Sequence, residues 1–154
     1  MKKVISLILA IAMAGSLFVS AKNIENHNEL TSNRYSYRYK FSSREKDGEY
    51  KIVEPTKSRE DAETAAEVAI ASCTFSTKFP AGVVAIVVFH LGSAIYDMSE
   101  PGDVKIYKQV KEKIKVDNLT GQERVVDTWW IIDLELYKAD GSLYNSRQHT
   151  LKLK

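Results

Sequence analysis

From Arg34 the chain alternates with a period of two: Tyr35, Tyr37, Tyr39 and Phe41 fall on one side of an extended segment, and Arg34, Ser36, Arg38 and Lys40 fall on the other. The alternation predicts a strand whose aromatic side faces a core and whose basic side is a solvated stripe. Glu45-Lys46-Asp47-Gly48 carries a turn signal, and residues 49 to 54 return to strand character before Pro55. The first predicted unit is therefore an N-terminal β-hairpin.

The period changes at Ser58. Ser58-Arg59-Glu60-Asp61 has the form of a capping box, with acids in the first turn where the helix dipole favours them. A helix is predicted from about Arg59 to Cys73, with Ala62, Ala65, Ala66, Ala69 and Cys73 as a small-residue inner face that permits a close neighbour. That neighbour is the run from Ala81 to Tyr96, apolar except for His90 and Ser93, opened by Pro80 and closed by Glu100-Pro101-Gly102. Gly82, Ala85, Gly92 and Ala94 offer it small contact points, so a central apolar helical hairpin follows. Val83 to Phe89 is rich in β-branched residues and also fits a buried strand, which periodicity does not separate from a buried helix.

From Val104 to the end the pattern is a three-stranded antiparallel β-meander, broken at Asn118-Leu119-Thr120-Gly121 and at Asp140-Gly141. The register follows from placing Glu112 opposite Thr128. Ile114 then faces Val126, Val110 faces Trp130, Ile106 faces Leu134 and Val104 faces Leu136 on one apolar face. On the other face Lys113 meets Asp127, Lys105 meets Glu135, and Lys111 lies beside Trp129. The fold class predicted is α+β.

The N-terminus sets the context. Met1-Lys2-Lys3, the apolar run Val4 to Ala14 and the small residues of Val19-Ser20-Ala21 make residues 1–21 a Sec signal peptide with cleavage before Lys22, which implies a protein exported to, or beyond, a bacterial envelope. Residues 22–33 are polar and aperiodic and are expected to form a flexible leader, leaving 34–154 as a single α+β domain. The chain has 22 Lys and Arg against 20 Asp and Glu, so loss of Lys2 and Lys3 brings the formal charge to zero. That sum conceals a division: between residues 58 and 103 only Arg59 and Lys78 stand against seven acids, whereas both flanks are net basic. The basic excess is too small to argue for nucleic acid, and an anionic membrane surface or another envelope partner fits it better. Cys73 is the only cysteine, so no internal disulfide forms.

Candidate chemistry is sparse. No catalytic, cofactor-binding or metal-ligating motif stands out, and His27, His90 and His149 lack a ligand spacing. Cys73 with His90 is the remote case for a thiol nucleophile and a hydrolase, although no oxyanion element surrounds it. Asp133 and Glu135 share a strand face as a glycosidase pair would, but a cross-strand ion pair with Lys105 is the simpler account. Adjacent Trp129 and Trp130 must point to opposite faces, so Trp129, beside Lys111, is the expected exposed anchor.

Together these observations point to a non-enzymatic exported protein acting by surface contact, with Trp129, Lys111, Arg34, Arg38 and Lys40 as contact residues. The alternative is a membrane-active or membrane-anchored protein that inserts residues 59–98, with Val83, Val84, Ile86, Val87, Val88, Phe89 and Leu91 as the membrane segment. Sixteen residues from Ala81 to Tyr96 span about 24 Å as a helix, less than a hydrocarbon core of about 30 Å.

Overall fold

Two long strands, β3 (Gly102–Asp117) and β4 (Glu123–Lys138), each of 16 residues, form the spine of the molecule. The structure is a computed structural model that describes residues 34–153, so the expected signal peptide and leader lie outside the described residues. Ahead of the spine come β1 (Tyr35–Phe41), β2 (Glu45–Ile52), α1 (Arg59–Ala71), a 3-10 turn at Thr74–Thr77 and α2 (Ala81–Tyr96), and after it comes β5 (Leu143–Lys152). The fold is α+β: a five-stranded antiparallel sheet with a helical pair inserted between its N-terminal and C-terminal strands.

The meander is present in the predicted register over most of its length. Val104 pairs with Leu136, Ile106 with Leu134, Val110 with Trp130 and Glu112 with Thr128. Beyond Lys113 a bulge sets Ile114 opposite Val125 rather than Val126, because one extra residue of β4 is accommodated as the chain approaches its turn. Both turns fall at the predicted glycines: Gly121 and Gly141 have φ of 71° and 80°, a region that favours glycine over residues with a Cβ.

The N-terminal strands depart from the expected hairpin. β1 pairs with residues 111–117 of β3 and β2 with residues 102–108, so the two lie end to end along one edge of β3 and do not pair with each other. An isolated two-stranded hairpin is at best marginal, whereas β3 offers a sixteen-residue edge that two short strands fill together. Ser42 maintains the alignment across the break: its backbone N–H donates to the Val110 carbonyl and its hydroxyl accepts from the Val110 N–H, both at 2.9 Å. The predicted turn at residues 45–48 is instead a bulge inside β2. Gly48 serves close approach there, since a Cβ on it would stand 2.5 Å from the Cys73 sulfur. The bulge turns Asp47 inward, where its carboxylate accepts from the Thr74 hydroxyl and the Phe75 N–H and pairs with Lys108 at 3.5 Å.

Residues 83–89 are helical, in an α2 with the predicted bounds. In α1 the Ser58 hydroxyl accepts from the Asp61 N–H at 3.0 Å, as the capping pattern predicts, and the helix ends two residues short of Cys73. Ala62, Ala66 and Ala69 are buried, and Gly92 brings α2 so close that a Cβ would sit 3.2 Å from the Glu63 Cα. Gly82 makes no such approach. The helices cover one end of one face of the sheet, enclosing Ile70, Phe75, Val87, Leu91 and Ile95 against Ile52, Val104, Ile106, Ile132, Leu134 and Leu136. Burial of these side chains, each worth about 1.5–3 kcal/mol relative to exposure, holds the helix layer on the sheet.

Candidate functional site

Side chains at odd-numbered positions of β3 point away from the helices, onto a face with no helix over it among the described residues. Opposite residues in an antiparallel sheet share a face, so the register assembles this surface row by row. Phe41, Lys111, Trp129 and Lys152 form one row across four strands; Tyr39, Lys113 and Asp127 form the next, and Tyr37 with Lys115 the one beyond. The β1 aromatics therefore do not enter the core as expected. Tyr35, Tyr37, Tyr39 and Phe41 are 40, 51, 52 and 51% exposed. The cause is the β1–β3 register, which sets the rings opposite the odd-numbered residues of β3 and so on the face away from the helices.

Each neighbouring ammonium leans over a ring. Lys115 lies 3.5 Å from the Tyr35 ring centroid, Lys113 lies 4.6 Å from that of Tyr37 and Lys111 lies 4.5 Å from that of Tyr39. Lys111 is also 5.5 Å from the Trp129 ring, as the sequence predicts for that pair, and Trp129 is tilted against Tyr39 at 6.2 Å. Such contacts orient a lysine without removing its charge. The predicted Lys113–Asp127 partnership is a register pair only: Asp127 accepts Lys152 at 2.7 Å. Lys111, Lys113 and Lys115 have no carboxylate partner among the described residues.

The other end of the same face is neutralised. Arg44 projects from the β1–β2 break over the Tyr107 ring at 3.8 Å and pairs with Asp133 at 3.0 Å and Glu135 at 2.5 Å. The Tyr137 hydroxyl donates to Glu135 and Gln148 donates to Asp133 at 2.7 Å. The bond to Glu135, then burial, pushes the Tyr137 hydroxyl up to about 12. Lys105 stands opposite Glu135 as predicted, but it lies over the Tyr137 ring at 4.6 Å, while Arg44, which the sequence did not single out, holds the carboxylate. Asp133 and Glu135 are thus both occupied by one shared guanidinium.

Two of the remaining expected contact residues, Arg38 and Lys40, are on the opposite side. Arg38 shares a face with Ile114 and pairs with Glu123 at 2.6 Å, and Lys40 stands across from Glu112. Arg34 precedes β1 and belongs to the chain's N-terminal unit. Arg38 and Lys40 are therefore not part of the Lys111–Trp129 surface.

Val87 and Leu91 of the expected membrane segment are fully buried, Val83, Val84 and Val88 pack partly against the core, and Ile86 and Phe89 are 56 and 52% exposed. No helix among the described residues is long and apolar enough to cross a membrane. Cys73 is buried and donates to the Ala69 carbonyl at 3.4 Å. Burial, then the charge of Asp47, pushes its thiol up to about 12, which keeps it protonated at neutral pH. His90, which the hydrolase reading set beside Cys73, stacks instead on His149 of β5, with centroids 5.0 Å apart and planes 18° apart. Sequence separation hid that pair. Comparison of the chain with protein-family models, curated proteins and solved structures finds no match.

Proposed function

We propose that this is an exported, non-enzymatic protein that works by surface contact at or outside a bacterial cell envelope, and that its contact surface is the far half of the open sheet face around Trp129 and Lys111. The observation that carries the proposal is the set of uncompensated ammoniums laid over half-exposed rings. Aromatic rings and cations on a rigid sheet supply contact area at low entropic cost, a recurring form of binding hot spot. Export is supported by the charge and apolar pattern of residues 1–21. Tyr37, Tyr39, Lys113, Lys115 and Lys152 join Trp129 and Lys111 in the surface. Inserting the helical hairpin into a membrane would first have to expose Val87, Leu91 and Ile95, which are the core of the fold.

The test is retention of the full chain on washed bacterial cell-wall particles. Trp129→Ala combined with Lys111→Glu is expected to lower retention at least fivefold with the melting transition retained. Equal retention of the double variant would refute this surface as the contact site.

A further inference from the structure

Resting on that contact reading, we infer that the open face binds a linear polyol phosphodiester, laid along β3 with successive phosphates at Lys111, Lys113 and Lys115. Three like charges at alternate positions of one strand repel one another, whereas two other cations on the same face are neutralised by carboxylates. Arg44 has Asp133 and Glu135, and Lys152 has Asp127. Lys111, Lys113 and Lys115 have no ion pair among the described residues, and Arg124, which stands opposite Lys115, adds a further positive charge to the row, while the rings of Tyr35, Tyr37 and Tyr39 fix the direction of the three ammoniums.

The geometry selects a line of anions. Residues two apart on a strand repeat about every 6.8 Å, which is six backbone bonds. A three-carbon polyol phosphodiester also places six backbone bonds between phosphates and, extended, advances about 7 Å per charge. Its phosphates keep step with the lysines over the whole row. A membrane presents anions over a plane and rewards aliphatic insertion, which a single row of ammoniums over tyrosines does not supply. Single-stranded nucleic acid has a similar charge spacing, but its affinity draws on bases stacking on free aromatic faces, and here lysines occupy the rings.

The experiment measures binding of the full chain to fluorescent poly(glycerol phosphate) by anisotropy across a range of salt concentrations. Oligothymidylate of equal charge, a neutral glucan and vesicles containing anionic lipid serve as competitors. Lys111→Gln/Lys113→Gln/Lys115→Gln is expected to weaken binding at least tenfold and to reduce the slope of log affinity against log salt by about 2, roughly 0.7 for each lost contact. The triple Arg variant is expected to stay within threefold of the parent. Unchanged binding in the Gln variant would overturn the inference, as would competition by oligothymidylate or vesicles as effective, per phosphate, as that by the polymer. If cell-wall particles retain the parent through the Trp129 surface but the polymer neither binds nor competes, this inference fails and the contact reading stands. If neither holds, both fail.

Discussion

The two halves of β3 begin from similar alternation and end in opposite environments. From Gly102 to Lys108 the helix-side residues Val104 and Ile106 are fully buried, and the open-face residues Lys105 and Tyr107 lie beside a network of carboxylates joined by Arg44. From Lys111 to Asp117 no helix covers either face among the described residues, and the open side carries three lysines facing aromatics. One half lies over the hydrophobic core, and the other carries half-exposed aromatics on its open side. On the helix side, reach of the short helix layer separates buried from less covered positions, whereas on the open side the difference comes from which partners neighbouring strands supply.

Removing core from the covered half should give the largest separation between the halves. Leu134→Ala is expected to cost about 3 kcal/mol of unfolding free energy, whereas Lys113→Ala should stay within about 0.5 kcal/mol; urea unfolding of both measures the contrast, and equal losses would break it. Gly48→Ala should cost about 2 kcal/mol by forcing a methyl toward the Cys73 sulfur, and much of that loss should return in Gly48→Ala/Cys73→Ala. Failure of the second change to restore stability would mean that backbone freedom, not close approach, explains the glycine.

Arg44→Ala tests the neutralised end of the open face. It leaves Asp133 and Glu135 without their shared cation, and a loss of about 1 kcal/mol is expected because the guanidinium is partly exposed. The smallest expected effect is pH-dependent. Burial, then His90 and Arg147, lower the His149 pKa from 6.5. As pH falls below about 6.5 the unfolded chain therefore takes up this proton before the folded chain does, and folding stability declines. Melting temperatures at pH 7.5 and 5.5 should show a fall in the parent that is smaller in His149→Gln; an identical fall would remove this pair from the covered half's pH response.

Much of the local structure was legible because it depends on neighbours in sequence. Ser58 and Asp61 mark a helix start through a single turn, and Gly121 and Gly141 mark turns through their own backbone freedom. The β3–β4 register followed from matching two adjacent strands across a short connection, and it failed only at the Ile114 bulge. Within the candidate site the same reasoning gave Lys111 beside Trp129. It missed Tyr37, Tyr39, Lys113 and Lys115 as one surface, and Arg44 as the partner of Asp133 and Glu135, because those neighbours come from segments some 70 to 90 positions apart in the 154-residue chain.

Local pattern in the amino-acid sequence was enough for a first helix with a small inner face, a C-terminal meander, and a β1 with aromatics on one side and cations on the other, while residues 83–89 fitted helix or buried strand. Periodicity, caps and turn residues act over a few positions and carry that information without reference to the rest of the chain. Only the tertiary structure decided that β1 and β2 share the edge of β3 and that the helices pack on the face opposite the β1 aromatics, so that the aromatic side meets solvent. Alternation sorts residues into two faces but does not say which face is covered; that depends on where the helix layer comes to rest, set by long-range packing.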